Sequence, residues 1–573
     1  MLAPVKSSPV PHESALSLDP PAPAEPFSPE REPVSASEPP LDVASLLADA
    51  QVAIEFLEAV RESRALLAEL SDEQRARLLR SAGEVARPDP WAKRELVRAA
   101  AKKRREAQRA ADERVLSRTG IRKKRLEEVF LTPQLTTPPV AAGVDIDAAL
   151  APDVTSPDAH EVPRLSSAGD VRDERSCYVC KRKFRSLHFF YDAMCGTCGD
   201  LNWHKRSQTA ALSGRVALIT GSRVKIGYQA AIMMLRAGAQ VIVSTRFPRD
   251  AAARYAREPD FASFRDRLSI YGLDLRHTPS VEAFAKHLDA TLPRLDFIIN
   301  NACQTVRRPA GFYEHLLAAE QVPHGALPAP EQTLLSSYET LRSHGQLRTL
   351  RSDAGIYQDA LASRSEPSHV AGLADPAALS QLALIDEDLA RGPSLFPAGQ
   401  LDRDLQQVDL RERNSWRLSL SEVSAVELLE VQLVNAVAPF MLNARLKPLM
   451  LRSPSLDKHI VNVSAMEGQF YRSFKTDKHP HTNMAKAALN MMTRTSAADY
   501  VKDGIHMNSV DTGWVTDEDA AEIAARKTRE QGFHPPLDIV DGAARIVDPI
   551  FSGFNSGKHV WGAFLKDYAP TDW

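Results

Sequence analysis

No apolar run in this 573-residue chain approaches the roughly 20 residues that carry a helix across a bilayer, so no membrane span is expected. The N-terminus, Met-Leu-Ala-Pro-Val-Lys-Ser-Ser-Pro, lacks a continuous apolar core, so a secretory signal is not expected either. An excess of one charge is also missing. The formal net charge is −3, too small for a strong global attraction to nucleic acid or membrane. Cysteine is scarce, with five residues, and four of them form two Cys-x-x-Cys pairs. That pattern argues against a disulfide framework and for a metal site in a reducing compartment, with the cytoplasm as the expected location. No repeat of fixed period is found.

What is present divides the chain by composition into roughly three or four regions of domain size. Residues 1–42 are rich in Pro, Ser, Ala and Glu without periodicity and are expected to be disordered. Residues 43–130 turn helical. Leu46, Leu47, Val52, Ile54, Leu57, Val60, Leu66, Leu67 and Leu70 recur at three-to-four spacing, and Ser71 to Gln74 reads as the cap of a further helix. After Pro88 and Pro90 a strongly basic helix is predicted, with Lys93, Arg94, Arg98, Lys102 to Arg105, Arg109, Arg114, Arg118 and Arg122 to Arg125. It reads as an arm for an acidic protein, acidic lipid or nucleic acid, or as a solvated face; no aromatic interleaving accompanies it, so nucleic acid ranks last. Residues 131–172 read as a linker, 173–210 as a cysteine module, and 213–573 as an α/β domain divided by an insertion at 307–420.

Cys177, Cys180, Cys195 and Cys198 form two knuckles with residues 181–194 between them, enough thiolates to close a tetrahedron around structural zinc. Phe184, Phe189, Phe190 and Tyr191 lie between the pairs and can cover a very small core. The second pair leads into Gly199 to Trp203, which reads as a helix start, as in a zinc ribbon or treble clef. Four sulfur ligands leave no open position for catalysis. His188 and His204 read as surface residues rather than ligands. The module is expected to dock a protein or nucleic-acid partner, or to staple the linker to the domain that follows.

Val216 to Thr220 is an apolar strand, followed by Gly221-Ser-Arg-Val-Lys-Ile-Gly227 and a helix. A helix N-terminus after a tight glycine turn offers free N–H groups and a positive dipole end to a pyrophosphate. Asp274 follows a third predicted strand, Asn300-Asn301-Ala302-Cys303 a fourth, Ser464 ends a fifth, and Lys486 sits on a helix. Together these residues resemble the short-chain dehydrogenase/reductase family. The resemblance covers the C-terminal domain without its insertion and implies a doubly wound, Rossmann-type parallel sheet. It also implies phosphate-turn roles for Thr220, Gly221, Ile226 and Gly227, with Lys225 in the place of the middle glycine and its ammonium within reach of a phosphate. The second strand ends in Arg246, with Arg223 and Arg249 nearby, where an NAD-binding member carries an acid; this favours NADP. Asp274 is implied at the adenine, Asn301 and Ala302 at the cofactor turn, and Gly513 and Thr516 near the nicotinamide amide. Cys303 reads as a packing residue.

The same resemblance implies that Asn435 holds a water, that Ser464 bonds a substrate carbonyl and that Lys486 holds the nicotinamide ribose. The family's tyrosine belongs one helical turn before Lys486, where this chain has Thr482. An aliphatic hydroxyl is a far poorer acid than a phenol, and losing a general acid typically costs about 10²–10⁴ in rate. Tyr471, His479 and His481 lie between Ser464 and Lys486, and Tyr471 is the first candidate substitute. The expected function is NADP-dependent interconversion of an alcohol and a carbonyl compound. The alternative is an NADP-binding sensor or interaction scaffold that does no chemistry. The insertion is expected to be a lid, a partner-binding arm or a disordered excursion, and Asp517 to Phe533 a second lid. Arg307 and Arg308 read as solvated surface or as contacts for an anionic substrate. Dimers and tetramers are common in the family, so a homo-oligomer is implied, though the insertion sits where it could block the usual interface.

Overall fold

The computed structural model describes residues 49–126, 167–344, 373–389, 392, 394–397, 399–402, 406–471 and 475–573. The segment expected to be disordered, 1–42, lies outside them, as does most of the expected linker. The chain forms two compact units, Met1–Lys102 and Lys103–Trp573.

In the first unit, helices Ala50–Glu62 and Asp72–Ala86 flank a 3-10 turn at Arg64–Glu69. Ser71 Oγ accepts from the Gln74 amide at 3.2 Å and the Gln74 side chain accepts from the Ser71 amide at 3.2 Å, the reciprocal cap its sequence predicts. Neither helix buries a residue. The basic helix, Pro90–Leu116, buries only Asp112 and Leu116, both in the second unit. Asp112 accepts from the amides of Arg172 and Asp173 at 2.7 and 2.9 Å. Arg122 pairs with Asp192, and Arg125 donates to the Leu537 carbonyl at 3.2 Å. These two arginines therefore hold structure together and do not belong to a free basic arm.

The residues read as the end of the linker are a strand. Ser167–Ser176 (β1) pairs antiparallel with Lys183–His188 (β2). The second cysteine pair sits at the start of helix Gly196–Ser207, which distinguishes the module from an all-strand ribbon. His188 is not on the surface: it is buried, its Nδ1 accepts from the amides of Phe190 and Tyr191 at 3.1 and 3.2 Å, and its Nε2 lies 3.3 Å from Asp200.

The larger sheet contains Val216–Thr220 (β3), Gln240–Thr245 (β4), Leu268–Gly272 (β5), Phe297–Asn300 (β6), Lys458–Ser464 (β7), Ile505–Asp511 (β8), Phe564–Lys566 (β9) and Ala569–Thr571 (β10). Their order is β10-β9-β8-β7-β6-β3-β4-β5, parallel throughout except for the β9–β10 pair. This is the doubly wound α/β arrangement. Every residue of β3, β6, β7 and β8 is buried, as expected for strands covered by helices on both faces. The order reverses between β3 and β6, which opens a crevice at the carboxyl ends of those strands.

The described part of the insertion is built into this core. Helix Ala329–His344 lies against β5 and buries Leu334, Leu335, Tyr338 and Leu341 with the sheet. Only Pro376–Leu379 and a 3-10 turn at Asp386–Leu389 represent the weak helical patch near Leu379 to Leu389. Ala425–Leu451 is a 27-residue helical stretch, apolar enough by length and composition to cross a membrane, and 39% of its most apolar window is buried. Leu442, Leu446, Leu449 and Met450 on it are fully buried in the domain, while Leu429, Phe440 and Leu451 are exposed, so it marks no clear membrane span.

The cysteine module is not a separate lobe. Cys177, Phe190, Tyr191, Met194 and Cys198 share an apolar cluster with Val515, Leu537, Ile539 and Val540. Across this contact Arg206 grips Asp538 at 2.6 and 2.7 Å and reaches Asp541 at 3.0 Å. Tyr191 donates to Asp541 at 2.5 Å, and Lys205 pairs with Asp548 at 2.6 Å. Asp538 also caps helix Ile539–Ser556, accepting from Val540 and Asp541 amides at 2.9 and 3.0 Å. Removing one partner of a buried pair strands the other charge. Arg206→Ala is therefore expected to cost about 3–5 kcal/mol in chemical denaturation; a loss below about 1 kcal/mol would show that the contact is dispensable.

Candidate active site

The crevice is built from two turns pressed together. Gly221, at φ +70°, lies so close to the turn after β6 that a Cβ there would stand 2.8 Å from Ala302 Cα. A Cβ on Gly227 would stand 2.5 Å from the Gly221 carbonyl oxygen and would also strike Asn301. Asn301 Nδ2 donates to the Thr220 and Gly221 carbonyls at 3.0 and 3.1 Å, and the Ala302 amide donates to Thr220 Oγ1 at 3.1 Å. Lys225, at the first position of helix Lys225–Arg236, adopts φ +56°. A lysine there holds a backbone shape that glycine adopts freely, at a cost of roughly 1–2 kcal/mol. Its charge reaches Glu518. Burial pushes that carboxyl up, but Lys225 leads the groups that bring it below the ordinary range.

A cavity of about 530 Å³ fills the crevice. Gly221, Arg223, Lys225, Ile226, Gly227, Arg246, Asp274, Asn301, Ala302 and Thr516 line it. Thr220 lies behind the turn and Gly513 outside the lining, packed on Leu537 and Tyr178. Arg246 donates to the Tyr313 hydroxyl at 2.6 Å and stacks 4.5 Å from its ring centroid. Burial alone would raise the Tyr313 phenol, yet its pKa falls because Arg246, then Arg308 and Arg223, stabilise the phenolate. Three guanidinium groups thus converge at the end of β4. Arg223 is partly neutralised by Asp250 at 2.7 Å. Arg249 points away, to the Glu320 carbonyl, and does not line the cavity. Asp274 is clamped by Arg276 at 2.6 Å, and Arg276 reaches Glu430 at 2.9 Å.

The catalytic candidates lie around the end of β7. Ser464 pairs in register with Asp511 on β8. Thr482 and Lys486 are buried one turn apart on helix Pro480–Tyr500, and Lys486 Nζ donates to the Val463 carbonyl at 2.8 Å. Ser464 Oγ and Thr482 Oγ1 are both buried without a hydrogen-bond partner among the described residues. Asn435 falls in a π-helical turn, Leu433–Val437, a distortion common at functional sites. Both ends of its amide engage Gln304, at 2.8 Å to the amide and 3.1 Å to the carbonyl. The side chain clamps the loop after β6.

Family models described as "short chain dehydrogenase" and "Enoyl-(Acyl carrier protein) reductase" match residues 215–320 and 413–535. The two matches support a divergent short-chain dehydrogenase/reductase domain in the C-terminal part of this chain. An uncharacterized protein of Acanthamoeba polyphaga mimivirus is 29% identical over 403 residues, covering 68% of this chain and 74% of the relative. Dehydrogenase/reductase SDR family member 13 of Bos taurus is 35% identical over 104 residues, covering 18% and 27%. Retinol dehydrogenase 11 of Mus musculus is 33% identical over 109 residues, covering 18% and 34%. The chain therefore spans about a third or less of those two relatives. Among solved structures, the Pseudomonas aeruginosa RhlG/NADP active-site complex aligns at TM-score 0.36 and 15% identity, covering 62% of this chain and 95% of that one. A dehydrogenase/reductase from Sinorhizobium meliloti 1021 aligns at TM-score 0.36 and 16% identity, covering 63% and 96%.

Within this family frame several expectations change. Tyr471 is 91% exposed, whereas Ser464, Thr482 and Lys486 are buried. His479 stacks on Trp416, with ring centroids 3.9 Å apart. His481 is buried 3.4 Å from Glu427. Arg307 is neither surface nor substrate contact: it is buried between Asp388 at 2.8 Å and Glu430 at 3.0 Å. Arg308 does line the cavity and pairs with Asp409. Tyr313, Asp402, Asp409 and Glu518 line the cavity without having been expected there; Tyr313 falls within the match at 215–320, and Asp402 and Asp409 fall between the two matched segments.

Asp511 is a further unanticipated group. Burial pushes its carboxyl up to about 6, despite the nearby Lys566 cation. A carboxyl raised on folding binds its proton more tightly in the native state. It therefore stabilises below the unfolded value and loses that contribution as pH rises through about 6. Asp511→Asn should flatten the melting temperature between pH 4 and pH 6 and raise stability at pH 7 by on the order of 2 kcal/mol. An unchanged pH slope would remove Asp511 as the source.

Proposed function

We propose that the crevice binds NADP and that the domain interconverts an alcohol and a carbonyl compound. The observation that carries the reading is the Arg246–Tyr313 pair at the end of β4, with Arg223 and Arg308 beside it and no carboxylate in the place of a ribose-binding acid. That arrangement suits a 2′-phosphate. The glycine cradle at Gly221 and Gly227 and the orphaned Ser464 and Thr482 hydroxyls fit the rest of the cofactor and an oxygen-bearing substrate. When bound, the nicotinamide supplies or accepts the hydride. Ser464 orients the substrate oxygen. Lys486, beside it, offers positive charge for the oxygen and the ribose. Thr482, assisted by water, passes the proton in place of a phenol, which makes turnover slow. The cysteine cluster supplies the ligand set for a structural zinc ion: its four sulfur atoms lie within 4.8 Å of one another, each pair on its own knuckle.

The sensor or scaffold reading has its own support. The cavity stops short of Ser464, Thr482 and Lys486, so the nucleotide half of the site is open while the catalytic half is closed in.

Two measurements test the pair of readings. Fluorescence titration should show NADPH binding more tightly than NADH, and Arg246→Ala should weaken NADPH by about 10- to 100-fold, the worth of one charge-assisted bond, with little effect on NADH. Equal loss for both nucleotides would remove the phosphate role. In a carbonyl panel, Thr482→Val should abolish turnover and Tyr471→Phe should leave it unchanged. Tight NADPH binding without turnover of any substrate would favour the sensor.

A further inference from the structure

The crevice uses the carboxyl ends of the strands. At the opposite ends three histidines meet. His459 is the second residue of β7 and His506 the second of β8, and the two are register partners. His559 comes from the turn between helix Ile539–Ser556 and β9. The three ring centroids form a nearly equilateral triangle, 5.2, 5.1 and 5.0 Å on a side. One nitrogen from each ring lies within 4.8 Å of the other two. The cluster stands five residues along β7 from Ser464, about 16 Å at the usual strand rise, so it belongs to neither the nucleotide site nor the cysteine cluster.

The details are those of a ligand set. His506 Nδ1 lies 3.2 Å from the Lys458 carbonyl, which accepts its proton and leaves Nε2 as a lone pair. His459 is completely buried, and its Nδ1 has no partner among the described residues. Its Nε2 lies 2.9 Å from His559 Nδ1. The nitrogen that faces His559 is Nε2, so an ion shared by the two rings is held there, and the unpartnered Nδ1 lies on the other edge of the ring. The approach of His559 is itself built in: a Cβ on Gly553 would stand 2.5 Å from its Nδ1. Burial favours neutral rings at all three positions, the form that binds metal.

We propose that His459, His506 and His559 bind one divalent transition-metal ion, of the zinc, nickel or copper(II) class, through three imidazole nitrogens. Carboxylate-preferring ions such as magnesium and calcium are not suited to this donor set. Bond lengths of about 2.0–2.1 Å set tetrahedral ligand nitrogens roughly 3.3–3.4 Å apart, so the His459–His559 pair, at 2.9 Å, opens slightly to admit the ion and His506 adjusts to the same spacing. The bound ion ties the turn before β9 to the start of the sheet. This site is independent of the redox reading above.

The test counts metal on the full chain. Protein equilibrated with a small excess of Zn(II) and freed of unbound ion is assayed by elemental mass spectrometry. His559→Gln, a turn substitution, should hold one zinc fewer than the parent chain, and Cys177→Ser should lose a different ion. The same zinc content in the parent and His559→Gln would overturn the site. A second readout guards against misfolding. Ni(II) titrated calorimetrically into parent protein carrying a single zinc, with the histidine cluster empty, should bind at least tenfold more tightly than into folded His559→Gln carrying the same single zinc. Equal affinity in both proteins would again overturn the proposal.

Discussion

The close seating of the turn after β3 on the turn after β6 is the constraint from which the site follows. Gly221 and Gly227 admit no side chain, Asn301 ties the two turns through both carbonyls, and Ala302 closes the contact from its amide. Because strand order reverses between these two strands, the seam is also where the crevice opens. The lysine at position 225 does not break the seam. It accepts the left-handed backbone and directs its charge towards Glu518. The seam thus keeps its close backbone contact with a charged side chain at position 225.

A second contact decides what kind of molecule this is. A small four-cysteine module on a flexible tether would be an accessory. Here its aromatic core, Phe190 and Tyr191, is continuous with Leu537 and Ile539, and Arg206 holds the capped end of the last long helix. Tyr178, between the first two cysteines, accepts from the Trp514 amide at 2.9 Å. The loop after β8 is therefore supported from outside the sheet by the module, so the packing around the four cysteines and the shape of that loop are physically connected.

Legibility followed sequence locality. The strand–glycine–helix run at 216–227, the cysteine spacing and the Ser71 cap could be read because each is decided by residues close in sequence. The sheet was legible because its strands are apolar on both faces. What was hidden depends on contacts between distant residues. Tyr313 meets Arg246 across 67 positions, and Arg307 meets Asp388 across 81. The Ala425–Leu451 stretch was missed because no single apolar run marks it; Asn435, Asn443 and charged residues interrupt it. Tyr471 read as a catalytic substitute because sequence gives its distance along the chain from Lys486 and not the path between them. The histidine triangle has no local signature at all: its members are spaced across three elements and only the sheet register brings them together.

The Arg206–Asp538 contact spans 332 positions. A ribosome delivers the cysteine module long before the helix that completes its core. During that interval its apolar face and its four thiols stand without their final cover, and partly made chains of this kind are prone to aggregate or to be trapped by chaperones. The module's core is completed only once helix Ile539–Ser556 has been made. A truncation near the C-terminus would therefore undo the N-terminal cysteine module as surely as it undoes the sheet beside it.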